Sequence, residues 1–345
     1  MLAEKVMATK NHRVVVTRHG GPDVLHMIAE PLPEPQPGEV RVQVLAAGVS
    51  AYDLMHRSSG MLPGTPKPPF TLGEDVVGVV DKLGAGVTAV APGEMVAGAT
   101  FKLGLGGGYS EYLCLPATAL VPVPDGVDPV QAVCLVVNYL TAHMAMHRTA
   151  QVQRGERVLI HGAAGGVGSA LLELGKLSGL VMIGTASRYN HDRVSAMGAT
   201  PIDYRTQDFV QWTRELTGGG VDVVFDPIGG FRQLWRSSRA LRRNGRLVWF
   251  GVAATKQAGL KVIPLTLLMV ALLKLLPGRR LLLTPDLSKE NNWYRNTLAE
   301  LLDLLAAGQI NPLVAARIPL AEAAHAHELL ERGGYAGKVV LVTTL

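Results

Sequence analysis

The chain has 345 residues, enough for two domains with separate cores. Hydrophobic residues make up 48% and charged ones 18%, which excludes a disordered chain. The net charge of +5 comes without a dense Lys/Arg run and with only 5% aromatic residues, which excludes a nucleic-acid footprint and leaves solvated helix faces and attraction for an anionic cofactor.

The opening stretch, MLAEKVMATKNHRVVV, lacks the apolar core of a secretion signal. The two cysteines, Cys114 and Cys134, cannot build a disulfide framework or a four-thiolate zinc site. Both features point to a reducing cytoplasm. Val14-Val15-Val16 reads as a strand, His19-Gly20-Gly21-Pro22 as a turn and Pro31 to Gly38 as a proline-rich connector. Glu39 to Leu45 alternates as a strand should, and short β runs continue through Gly73–Asp81, Glu94–Gly98 and Tyr109–Leu115. A β-rich, barrel-like first domain is expected, closed by Pro122 and Pro124. From Pro129 to Thr149 apolar residues return at helical intervals. His143 and His147 are spaced i, i+4 there, with no further ligand nearby in sequence, and read as a helical pair rather than a metal site.

The most informative stretch is Arg157 to Leu177, RVLIHGAAGGVGSALLELGKL. The run Val158-Leu159-Ile160 reads as a buried parallel strand. Glycines follow at 162, 165 and 168, and a helical face begins at Leu171. Glycine suits such a turn because a Cβ would block the approach of a pyrophosphate, which would rest on the helix N-terminus. Further apolar strands at Leu180–Gly184, Val221–Phe225 and Arg246–Gly251 complete an alternating β/α pattern. The segment Leu260 to Leu283 is strongly apolar yet interrupted by Pro264 and Lys274, too short and broken to span a bilayer. It reads as a helix in the core or at a subunit interface, with a lid over a greasy pocket or a membrane-surface contact as alternatives. Asn292 to Ala307 is another helix, and Gly337 to Val342 a strand returning to the first domain.

His19-Gly20-Gly21-Pro22, Gly48-Val49-Ser50-Ala51-Tyr52-Asp53, Gly106 to Tyr112, Ala163 to Gly168, Asp226-Pro227-Ile228-Gly229-Gly230 and Gly337 to Leu341 occur in this order. Together they resemble the zinc-independent quinone oxidoreductase branch of the medium-chain dehydrogenase/reductase superfamily. Val137 to Ala142 and the apolar insertion are similar to the vesicle amine transport protein homologues within it. The resemblance implies an α/β chain with a GroES-like β-rich catalytic domain and a Rossmann dinucleotide-binding domain, usually as a homodimer. The implied boundaries are 1–130 for the first part of the catalytic domain, 131–289 for the Rossmann domain with the insertion at 260–283, and 290–345 for the return.

Zinc-dependent members of that superfamily carry Cys and His where this chain has Ser50 and Glu74. A hydroxyl is a poor zinc ligand, so no metal is expected. The second strand of the nucleotide domain ends in Gly184-Thr185-Ala186-Ser187-Arg188, with no carboxylate before Asp192 to meet a ribose 2′-hydroxyl. Ser187 and Arg188 can instead hold a 2′-phosphate, and Tyr204 resembles the family tyrosine near it, so the expected cofactor is NADPH. Gly162, Ala164, Gly165, Gly166, Val167 and Gly168 form the phosphate turn. By resemblance, Asn138 and Thr141 face the nicotinamide, Phe250, Gly251 and Val252 line its other side, and Lys338 belongs to the same set.

Without a Lewis acid, hydride transfer to an activated C=C or a quinone is easier than alcohol oxidation. Tyr52 and Ser50 are the candidate donors to a substrate oxygen. Asp53 is expected to fix their loop, together with nearby Arg57. Met55 and Leu62 stand where quinone oxidoreductases often carry tyrosines, and Gly60-Met61-Leu62 offers no tyrosine acid of the enoyl reductase type. The pocket is therefore expected to be apolar and its substrate hydrophobic. A nucleotide-binding, lipid- or membrane-associated protein with little catalysis is the alternative.

Overall fold

The structure, a computed structural model of the chain, describes residues 10–59, 65–100, 106–251, 262–275, 279–283 and 291–343. Val252, Gly60, Met61 and Leu62 lie outside the described residues. Two compact units emerge: residues 1–137, 288–333 and 338–345 form one, and 138–287 with 334–337 form the other.

The first unit is built from β1 (Lys10–Val16), β2 (Leu25–Pro31), β3 (Glu39–Val49), α1 (Ala51–Ser58), β4 (Phe70–Thr71), β5 (Asp75–Leu83), β6 (Met95–Ala99), β7 (Tyr112–Pro116), β8 (Leu120–Pro122) and α2 (Pro129–Cys134). β1 lies between β2 and β4 in a three-stranded sheet. The long strand β3 buries Val40, Val42, Val44 and Ala46 on one face, as its alternation requires. It pairs antiparallel with β5 and β7.

The helix expected over Pro129–Thr149 is not uniform. α2 ends at Cys134, a π-type stretch runs over Leu135–Tyr139, α3 (Leu140–His143) follows, and a second π-type stretch covers Met144–Ala150. Gln151 ends it in the left-handed region at φ 52°. Periodicity alone does not separate 3.6 residues per turn from the wider π turn, a form frequent at functional sites.

The second unit continues with β9 (Arg157–His161), α4 (Gly166–Leu177), β10 (Val181–Ala186), α5 (His191–Ala196), β11 (Ala199–Asp203), α6 (Phe209–Thr217), β12 (Val221–Asp226), α7 (Phe231–Ala240), β13 (Leu241–Trp249), α8 (Val262–Leu275) and β14 (Arg279–Leu283). Its strands form one parallel six-stranded sheet in the order β11-β10-β9-β12-β13-β14. That is the doubly wound Rossmann order, in which strand order reverses beside the first strand and ligands gather at the carboxyl ends. β12 is buried at every position, as a central parallel strand must be.

The apolar segment 260–283 contains the core helix expected of it. Within it, α8 and β14 are the last crossover helix and the edge strand of the Rossmann sheet, β14 pairing parallel with β13. Met269, Val270 and Leu273 enter the same core cluster as Leu234, Leu247 and Leu281. Leu265, Leu267, Leu268 and Leu272 stay exposed. The segment is apolar nearly all round because one face closes a core and the other presents leucine outward.

The chain returns to the first unit with α9 (Asn291–Ala306), β15 (Val314–Pro319), α10 (Ala323–Arg332) and β16 (Lys338–Val342). β16 pairs antiparallel with β3 and parallel with β15. α9 buries Tyr294, Leu298, Leu301, Leu302 and Leu305, a stripe at helical spacing. The Tyr294 hydroxyl accepts the backbone N–H of Ala99 at 2.9 Å and donates to Ala119 O at 3.3 Å, both inside the core. Replacing Tyr294 with Phe removes the partner of a buried N–H and is expected to cost about 1–3 kcal/mol of stability, measured by urea titration.

Candidate active site

Chemistry in the first unit is organised by the start of α1. Ser50 is its N-cap: the Ser50 N–H donates to Asp53 Oδ2 at 2.7 Å, and Ser50 Oγ accepts from Asp53 N–H at 3.3 Å. This reciprocal capping box satisfies two otherwise orphaned groups. The second Asp53 oxygen accepts from Gly73 N–H at 2.9 Å, tying α1 to the loop before β5.

A buried hydrogen-bond chain ends on the same carboxylate. Arg57 has only donors, so its Nη1, 3.1 Å from His327 Nδ1, makes that nitrogen an acceptor. The proton then sits on His327 Nε2, which donates to the Tyr109 hydroxyl oxygen at 3.1 Å. The Tyr109 hydroxyl faces Asp53, and burial first and then that carboxylate's charge hold the phenol well above its ordinary value. Burial and then the Arg57 charge hold the imidazole down to about 3, so the ring is neutral. Arg57 was expected to pair with Asp53; it turns instead to Gly20 O at 3.1 Å, to His327 and to an ion pair with Glu331.

Asp53 thus accepts hydrogen bonds on both oxygens. Burial raises its pKa to about 6, opposed by the hydrogen bonds from Gly73 and Ser50, so at neutral pH it is mostly ionised. It holds the loop and has little proton to give. Tyr52, in the first turn of α1, is 49% exposed, with its ring 6.2 Å from that of His56.

Glu74 is the group that sequence reasoning missed. Ser50 Oγ lies 3.4 Å from Glu74 Oε2. Burial, then the negative charges of Asp53 and Asp75, push its carboxyl up to about 8 against the pull of Lys338 and Ser50. At neutral pH it is a neutral acid. The signal was present: two adjacent acids, Glu74 and Asp75, open the apolar run VVGVV, and like charges at one buried place cannot all ionise. Lys338, expected beside the cofactor, belongs to this cluster. Its ammonium lies 2.7 Å from Asp75, and the two side chains are 2% and 0% exposed. Burial opposes that charge, but Asp75 outweighs it and holds the ammonium above its ordinary value. Gly48 leaves the necessary room, since a Cβ there would lie 2.0 Å from Lys338 Cε.

In the second unit the glycine turn follows β9. Gly162 has φ +63°, and a Cβ at Gly168 would lie 2.1 Å from Gly162 O, so helix and strand approach as only glycine permits. α4 begins at Gly166 with Gly165 as N-cap and no side-chain cap. The first N–H groups of the helix are therefore left to a ligand. Ala164 and Gly165 are tied down by Gly337, whose N–H donates to Ala164 O at 2.9 Å. Val167 lies in the first turn. Asn138 is brought to the turn, for a Cβ on Gly166 would stand 2.3 Å from its Nδ2. Thr141 is partly buried one turn further on.

The neighbouring carboxyl end is shaped by Asp226, which accepts from Ile228 N at 2.8 Å, Gly229 N at 3.0 Å and Ser237 Oγ at 2.7 Å. It sets the loop against which Gly251 lies; a Cβ there would meet Pro227 O at 2.4 Å. Phe250 N–H donates to Asp226 O at 3.2 Å. Ser187 and Arg188 follow β10, and Tyr204 follows β11, strand ends in register through Ala186 and Asp203. Arg188 and Tyr204 are exposed. The carboxylate at that corner, Asp203, accepts from Arg205 N at 3.0 Å and Thr206 Oγ1 at 3.1 Å. Arg205 lies over the Tyr204 ring at 5.8 Å, adding a cation that the sequence reading left unassigned. Glycines where a Cβ would clash and an uncapped helix start fit a nicotinamide dinucleotide. Among the described residues no group of three or more His, Cys, Asp or Glu could hold a metal ion.

Two family models match: an alcohol dehydrogenase GroES-like domain over residues 36–125 and a zinc-binding dehydrogenase over 197–341. The chain is 31% identical to the human synaptic vesicle membrane protein VAT-1 homolog, covering 95% of this chain and 86% of that one. It is 33% identical to a quinone oxidoreductase of Pseudomonas aeruginosa, covering 96% and 99%. Among solved structures, mycobacterial Rv1454c complexed with NADPH superposes with a TM-score of 0.83 at 31% identity, covering 96% and 99%.

The raised carboxyl of Glu74 carries a stability signature. Its folded value, about 8, lies above the ordinary 4.5, so below about 4.5 the acid is protonated folded or unfolded and its burial is tolerated. As pH rises from there to about 8, the unfolded chain sheds a proton that the folded state keeps, and stability is lost. Glu74→Gln should therefore gain in Tm over the parent as pH rises from about 5 to 9. A difference in Tm that stays constant across that range would contradict the assignment.

Proposed function

We propose that this chain, which belongs to the zinc-independent, quinone oxidoreductase-like branch of the medium-chain dehydrogenase/reductase superfamily, reduces an activated C=C or a quinone of a hydrophobic molecule with NADPH. It is an oxidoreductase by that membership. The observation that carries the finer reading is the corner formed by β10 and β11. Ser187, Arg188 and Tyr204 gather there, while Asp203 is turned to its own loop. A carboxylate free at that corner would repel a 2′-phosphate; a guanidinium fork attracts one.

A reduced nicotinamide, when bound, supplies a hydride. The chain's own residues do the rest. The N–H groups at the start of α4 hold the pyrophosphate, and Asn138, Thr141, Phe250 and Gly251 border the nicotinamide. The first unit, taken by itself, carries the hydroxyls of Ser50 and Tyr52, groups suited to an oxygen on which charge develops. We infer a homodimer in a reducing cytoplasm; the free thiols of Cys114 and Cys134 support the latter.

The exposed leucines of α8 support a second reading, contact with a lipid surface. Exchanging Leu265, Leu268 and Leu272 for Ser keeps the crossover to β14 and should abolish co-sedimentation with vesicles if that contact exists. Equal sedimentation of parent and variant would end this second reading.

For the main reading, Arg188→Ala is expected to raise the KM for NADPH by roughly 10–100-fold, the value of a charged hydrogen bond, with little change for NADH. Equal changes for the two cofactors in steady-state assays would reject NADPH preference.

A further inference from the structure

Protonation must accompany hydride transfer to a C=C, and the geometry of the first unit limits the groups that can supply it. Asp53 is 1% exposed, and its two oxygens accept from Ser50 and Gly73. Tyr109 and His327 are fully buried and consumed by one another, by Asp53 and by Arg57. His56 Nδ1 is engaged by Thr65 Oγ1 at 2.8 Å. There remain Tyr52, 49% exposed on the first turn of α1, and the pair Ser50 and Glu74, both partly exposed and 3.4 Å apart.

We propose that Glu74 is the proton reservoir of this reductase and that the Ser50 hydroxyl, fixed in place by the capping box, is the relay that hands the proton to substrate. The inference rests on the reductase reading. In the structure Ser50 Oγ donates to Glu74 Oε2 at 3.4 Å; in the relay that bond reverses, the O–H of the neutral acid donating to Ser50 Oγ. That oxygen still accepts from Asp53 N–H, and the serine turns its own hydrogen outward. The groups facing Glu74 are Asp53 from α1, Asp75 from β5, Lys338 from β16 and Ser50 itself. Burial and then the two carboxylates favour its protonated form, against the pull of Lys338, which lies 2.7 Å from Asp75.

The reaction balances. The β-carbon of the C=C gains a hydride from the nicotinamide, which is oxidised. The π pair of the C=C forms the new C–H bond at the α-carbon with the proton leaving Ser50 Oγ. Oγ takes its replacement from the Glu74 carboxyl, and water returns a proton to that carboxylate. A holder whose pKa lies near working pH is best matched to such a transfer, and burial with neighbouring charge places Glu74 at about 8.

The test uses the full chain with NADPH, a cyclic enone and a benzoquinone, followed from about pH 6 to 9.5. The parent kcat for the enone should fall above about pH 8, where Glu74 loses its proton. Glu74→Gln should lower that kcat by ~100-fold or more and abolish the alkaline limb. Glu74→Asp should retain a limb at reduced rate. Ser50→Ala, which cuts the relay without removing the acid, should lose rate and limb as Glu74→Gln does. Retention of the parent's rate and limb in Glu74→Gln or Ser50→Ala, with the parent active, overturns the proton path alone. A parent inactive on both substrates overturns the reductase reading and this inference with it.

Discussion

The Asp53 carboxylate, buried and accepting hydrogen bonds on both oxygens, is the constraint on which the chemistry of the first unit depends. It orders the N-terminus of α1, fixes Ser50, and holds the loop before β5 through Gly73 N–H. Burial first, and then the negative charge that Asp53 keeps, prevent the next acid along, Glu74, from easily doing the same. A side chain that would be an ordinary surface glutamate elsewhere becomes a neutral acid here. Asp75 takes Lys338 as its counter-ion at 2.7 Å, in room that exists only because Gly48 lacks a Cβ.

The second supporting chain, from Arg57 through His327 and Tyr109 to Asp53, has a fixed direction. Arg57 can only donate, so each later group accepts on one side and donates on the other. The chain joins α10 to α1 and delivers a hydroxyl to Asp53 without delivering a charge. Removing any one member leaves a buried polar group without its partner, which costs more than the hydrogen bond itself contributes. In the second unit the same economy appears in apolar form: the strand-to-helix turn tolerates no Cβ at Gly168, and the uncapped start of α4 leaves N–H groups facing outward.

Much of the fold was legible in the chain. Apolar runs at Val158–Ile160 and Val221–Phe225 and the glycines between strand and helix are local signals, each readable within about one supersecondary unit. The Asn292 helix and the final strand were legible for the same reason. Others were not. The run over 129–149 reads as one helix because apolar spacing does not distinguish α from π turns. Over 260–283 composition gives a buried helix, which α8 is, but not its place beside the sheet. Only its pairing through β14 with β13 reveals a crossover.

What the sequence determined by itself is the alternation that builds a parallel sheet, the turn that suits a pyrophosphate, and the absence of an acid before Asp192. All follow from steric and periodic rules acting between near neighbours. What only the tertiary structure decided is which carboxyl carries a proton, where Lys338 spends its charge, and which way Arg57 faces. Those are settled by burial and by charges brought together from distant parts of the chain, and the energy of an ionisable group depends on that company more than on its own identity.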